Sequence, residues 1–89
     1  MFAIEDERHA EPQGTYATET EAMAELKRRY RVAWSEPPNR APCMNWVNCG
    51  RSYELVSYDD HNPSNWQELS RVRALYISAS GVCWYLSVE

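Results

Sequence analysis

Glycine is scarce in this chain, with three residues among 89. A glycine-rich phosphate cradle needs several glycines in one turn, so the count excludes it. Lysine is scarcer, a single residue beside eight arginines, and the formal charge is −4. A protein that grips a nucleic-acid backbone normally carries a basic surplus, so nucleic acid is a disfavoured partner. No window holds the roughly 18 apolar residues of a membrane span. The opening Met1-Phe2-Ala3-Ile4-Glu5-Asp6-Glu7 turns acidic at once, without the basic start and apolar core of a secretory signal. Asn62-Pro63-Ser64 is no glycosylation acceptor, because proline fills its middle position. The three cysteines, Cys43, Cys49 and Cys83, are an odd number. With no secretory signal they read as reduced thiols in a cytoplasm. There is no nucleophile elbow and no H-E-x-x-H.

What remains is one small globular domain, residues 1–89, with 44% hydrophobic and 12% aromatic residues. The arginine excess suggests paired or stacked guanidiniums, or simply a GC-rich coding sequence. Phe2 to Asp6 alternates apolar and polar residues and reads as a strand. Glu11-Pro12-Gln13-Gly14 has turn chemistry, with Tyr16 in an extended bridge behind it. Thr18 and Glu21 have capping-box spacing. Met23, Leu26, Tyr30 and Ala33 make one apolar stripe, with acids early and bases late, which predicts a helix at about 19–33. Pro37-Pro38 stops it, and residues 35–51 form a long connection rich in Pro and Asn. Residues 52–58 read as a strand, Val72 to Ser78 as another, and Val82 to Val88 as its hairpin partner. Residues 66–69 fit either a helical turn or a strand start. The expected fold is a two-layer α+β domain of order β-α-β-β-β. One main helix packs on a small antiparallel sheet, over Leu55 or Val56, Leu75 and Trp84.

Several constellations carry chemistry. Cys43 and Cys49, with His61 or Cys83, offer zinc ligands, though their spacing is longer than in usual zinc pairs. The same two thiols can close a loop disulfide or simply pin the loop. A nucleophilic cysteine needs a base, and His9 and His61 are the two histidines. His61 follows Asp59-Asp60, which can orient an imidazole. Paired acids, Asp59-Asp60 or Glu5-Asp6-Glu7, suit acid–base work but usually form solvated surface. Lys27-Arg28-Arg29-Tyr30-Arg31, with Trp34 and Trp46, offers phosphate contact and stacking for a single strand. Four Trp and six Tyr favour an aromatic contact surface on the outer sheet face.

Gly14-Thr15-Tyr16-Ala17-Thr18 leads into Glu21-Ala22-Met23-Ala24-Glu25-Leu26. Ala41-Pro42-Cys43, Trp46, Cys49-Gly50-Arg51 and Tyr53-Glu54 follow. Together these stretches resemble a group of small uncharacterised bacterial proteins of similar length. The resemblance spans most of the chain. It implies a bacterial, soluble, single-domain protein and carries over no functional residue.

The leading expectation is a non-enzymatic cytoplasmic protein without a cofactor. It acts through contact with an unknown protein partner or a second copy of itself. Trp46, Arg51, Tyr53, Tyr58 and Tyr85 are the expected contact residues. The alternatives are a small-ligand or zinc site at Cys43, Cys49, His61 and Cys83, and a single-strand nucleic-acid binder.

Overall fold

A computed structural model describes residues 1–42 and 49–86. Its elements are β1 (Phe2–Asp6), β2 (Glu11–Tyr16), α1 (Glu19–Tyr30), β3 (Arg51–Asp59), β4 (Gln67–Ser78) and β5 (Gly81–Trp84). The strands form one antiparallel sheet in the order β2-β1-β3-β4-β5. The α+β class is as expected, but the sheet has one strand more than the expected order allowed.

The extra strand is β2, where turn chemistry had been read. It sits at the sheet edge and pairs with β1 alone. Pro12 is tolerated there because an edge strand needs ladder donors on one side only. Gly14 has φ +133, which an L side chain rarely adopts. Residues 67–69 join β4, which settles them as strand. β5 ends at Trp84, and residues 87–89 lie outside the described residues.

The helix starts where its sequence says. Thr18 Oγ1 accepts the Glu21 N–H at 3.2 Å. The Glu21 carboxylate reaches back one residue further than a standard capping box, to the Ala17 N–H. The helix ends earlier than 33, with Arg31 as its C-cap. Asn39 explains the early stop. Its buried amide donates to the Arg29 and Val32 carbonyls, each at 2.8 Å, and so satisfies the free C-terminal end.

Ala22 and Leu26 of α1 are fully buried and share a core with Ile4, Tyr53, Leu55, Ala74, Leu75 and Ile77. Trp84 packs against its margin. Leu55, Leu75 and Trp84 thus lie where the helix was expected to cover them. Successive strand residues alternate faces, so Glu5 and Glu54, beside Ile4 and Leu55, point the other way. There Arg71 bonds Glu5, Glu54 and Glu68, at 2.9, 2.6 and 2.8 Å. These carboxylates, Glu68 foremost, raise the Arg71 pKa further above its ordinary value. The middle of this face is a charged lattice, and Tyr58, bonded to Glu5, and Tyr76, between the core residues Leu75 and Ile77, share the face with it. Among the described residues no helix is long and apolar enough to cross a membrane.

Candidate functional site

The site forms where the end of β1, the turn that follows it, and the start of β3 meet. Asp6 closes β1 and is fully buried. Its Oδ1 accepts the backbone N–H groups of Arg8 at 3.1 Å and Ser52 at 3.3 Å. Its Oδ2 faces His9 Nδ1 at 2.6 Å and Arg51 Nη1 at 2.9 Å. A buried carboxylate is costly unless it is paired and hydrogen-bonded, and Asp6 has both.

His9 sits in the turn between β1 and β2, with its side chain only 14% exposed. Ala10 behind it has φ +49, so the chain turns sharply at this point. The second ring nitrogen, Nε2, lies 3.1 Å from Cys49 Sγ. Carboxylate, imidazole and sulfur therefore stand in a row.

Three consecutive residues place the sulfur. Cys49 presents it to His9. Gly50 lets the chain run close to β4, where an added Cβ would lie 2.7 Å from the Ile77 carbonyl and 2.8 Å from Ser78 Cβ. Arg51 opens β3 and fixes Asp6, while its Nε and Nη2 donate to the Arg40 carbonyl at 3.2 and 2.9 Å. The loop before β3 is thereby tied to the same guanidinium as the buried acid.

Cys49 is disulfide-bonded, and Cys83 is an exposed free thiol. Cys43, the expected loop-disulfide partner, lies outside the described residues. A disulfide sulfur and a carboxylate are both acceptors, so each ring nitrogen of His9 has an acceptor opposite it. On reduction the sulfur becomes a thiol whose proton His9 Nε2 is placed to take. An acid that orients a base, and a base that touches a sulfur, is the arrangement of activated cysteines.

Arg29, Tyr53 and Asn39 extend the network beneath the helix. The Arg29 guanidinium lies 5.0 Å from the Tyr53 ring centre and bonds Glu25 and Gln13. Tyr53 donates its hydroxyl to Asn39 Oδ1 at 2.9 Å. Burial, foremost, raises the Tyr53 pKa.

The expected contact residues are scattered. Tyr53 is fully buried and has no surface to offer a partner; Arg51 is buried against Asp6. Tyr58 is half-buried, donates to Glu5 and stacks at a tilt on Trp66. Tyr85 is exposed beside Arg73. Trp46 lies outside the described residues. Of the zinc alternative, His61 is exposed in the loop before β4, and its backbone bonds Asp59. Among the described residues no group of three His, Cys, Asp or Glu side chains is arranged to hold a metal ion.

Of the two histidines considered as a base, His9 is the one placed beside a cysteine sulfur, while His61 is exposed. The local signal was present in Asp6 and His9, three positions apart across a strand end. Its meaning depended on Cys49, 40 residues further on. Searches of protein-family models, curated proteins and solved structures find no match for the chain.

Proposed function

We propose that Cys49 is a redox-active cysteine, with His9 as its proton carrier and Asp6 as the residue that holds His9 in place. One observation carries this reading: the His9 ring bridges a fully buried carboxylate and the Cys49 sulfur, at 2.6 and 3.1 Å. In the reduced protein, Cys49 gives its proton to Nε2 and attacks a disulfide as the thiolate. The departing thiolate then collects that proton. In a reducing cytoplasm the thiol form dominates, so oxidant moves the site between two states.

Alkylation kinetics test the idea. Reduced protein is treated with iodoacetamide, and peptide mapping follows each cysteine separately. Cys49 is expected to react faster than the exposed Cys83. His9→Gln is expected to slow Cys49 by about tenfold or more and leave Cys83 unchanged. Equal rates at both cysteines, or no effect of His9→Gln, overturn the proposal.

Contact with another protein or a second copy of the chain is a second reading. It is favoured by exposed Tyr30, which packs edge-on against Trp84 with ring centres 5.9 Å apart, next to Lys27 and Arg31. Solvent-exposed aromatic and arginine side chains together are typical of contact hot spots. Sedimentation over a concentration series tests the self-association form. A monomer throughout, unchanged by Tyr30→Ser, removes it.

A further inference from the structure

Most arginines with a defined role here meet carboxylates: Arg28 and Arg29 meet Glu25, Arg51 meets Asp6, and Arg71 meets three glutamates. Arg8 and Arg73 are different. Among the described residues neither has a carboxylate partner, although the chain is acidic overall. Tyrosines hold them instead. Arg8 Nη1 donates to the Tyr76 hydroxyl at 3.4 Å, and the Arg73 guanidinium lies 5.5 Å from the Tyr85 ring centre. The two arginines, both tyrosines, Ser52 and Glu7 line an open cleft of about 400 Å³. That volume suits a small organic molecule.

Neither His9 nor Cys49 lines the cleft, but a chain neighbour of each lies at it, just beyond the end of β1 and just before the start of β3. Arg8 immediately precedes His9. The Tyr76 hydroxyl lies so near Gly50 that an added Cβ there would come within 3.1 Å of it. Guanidinium forks that keep their donors free bind carboxylates in a planar, two-point fashion. Glu7 adds one acceptor for a cation to the same rim.

We infer that this cleft binds the exchange partner of Cys49, and that the partner is a low-molecular-weight thiol or disulfide bearing a carboxylate, of the amino-acid type. Arg8 and Arg73 hold the carboxylate, and Glu7 suits an ammonium group. The inference rests on the redox role proposed for Cys49. The Cys49 thiolate forms a bond to one sulfur of the disulfide, and the disulfide bond breaks. Cys49 and that sulfur end as a mixed disulfide. The second sulfur leaves as a thiolate and takes the proton that His9 received from Cys49, so one thiol is consumed and one is released.

Two reagents separate this inference from the reading beneath it. Reduced protein carrying Cys43→Ser and Cys83→Ser, in which Cys49 is the one thiol and its adduct cannot be displaced from within the chain, is mixed with L-cystine or with the uncharged 2-hydroxyethyl disulfide. Mass spectrometry with peptide mapping follows the adduct at Cys49. Cystine is expected to react faster. Arg8→Gln and Arg73→Gln are each expected to slow the cystine reaction by about tenfold and leave the uncharged disulfide unaffected. Equal reaction with both reagents, insensitive to either arginine, overturns the cleft and leaves the cysteine role standing. Reaction with neither overturns both. A parallel titration of Cys49→Ser protein with S-methyl-L-cysteine, followed by NMR, reads the cleft without thiol chemistry. Shifts centred on Tyr76 and Tyr85 that vanish in Arg73→Gln are expected, and their absence counts against the cleft.

Discussion

His9 stands between Asp6 and Cys49, with Nδ1 2.6 Å from the carboxylate and Nε2 3.1 Å from the sulfur. Asp6→Asn keeps the shape but removes the charge that Arg51 and His9 share. Breaking one side of a buried pair typically costs about 3–5 kcal/mol, so a large drop in the urea midpoint is expected. A purely structural role would stop there. If Asp6 also positions His9, then under conditions where the variant stays folded, the pH profile of Cys49 alkylation shifts as well.

Gly50→Ala tests the close approach of the β3 entrance to β4. Its new methyl would meet backbone at 2.7 Å, which cannot swing aside as a side-chain tip can. Overpacking of this kind costs about 1–3 kcal/mol. Urea unfolding should show that loss. Alkylation of Cys49 should change in the same variant, because the residue before the glycine must move with it.

Acid stability should depend on Glu25. Its pKa is lowered to about 2, chiefly by the hydrogen bond from Arg28, with Arg29 adding to it and burial opposing. A carboxyl depressed in the folded state contributes stability above its unfolded value, and that contribution is lost as pH falls through the folded value. The window therefore runs from about 4.5 down to about 2. Glu25→Gln should be less stable than the parent near neutral pH, and the gap should close across this window in urea titrations at stepped pH.

Alkaline stability has the opposite sign. Burial raises the Tyr53 pKa above its ordinary 10.0. Unfolded chains release that proton first, so the contribution is complete below pH 10 and is lost as pH rises past it. Tyr53→Phe should flatten the alkaline limb of stability against pH. It should also cost about 1 kcal/mol at neutral pH, for the bond to Asn39.

Asn39→Ala should destabilise by about 1–2 kcal/mol, because the Val32 carbonyl at the helix end loses its Asn39 donor and the Tyr53 hydroxyl is left with its longer bond to the Pro38 carbonyl, at 3.2 Å. Thermal melts of this variant and of the double variant with Tyr53→Phe should be less than additive, since the two residues share a bond.

Elements carried by a local pattern were legible in the sequence. The helix start followed from Thr18 and Glu21, and β1 and β3 followed from alternation and branched residues. Where a long-range contact overrode a local rule, the reading failed. Pro12 and Gly14 read as a turn because nothing nearby says that β2 borders β1 on one side only. The helix ended before its apolar stripe did, because Asn39 claims its last carbonyls from beyond the end. Tyr53 was assigned outward because two strand faces look alike until the bulge between Tyr53 and Glu54 is known. The Cys49-Gly50-Arg51 segment was noticed, but its chemistry needed a residue from the opposite end of the chain.

The sheet order bears on how the chain assembles. Two local units can pair early, the β1–β2 hairpin and the β3–β4–β5 meander. Docking β1 beside β3 joins residues about 50 positions apart in sequence, as in Ile4 with Leu55. Contacts of such separation form slowly, since a long loop must close before they contribute. Asp6 and His9 arrive with the first unit, Cys49 and Arg51 with the second. If the two units dock last, the sulfur meets its histidine only then, and the reactivity proposed for Cys49 would double as a timer of completed folding.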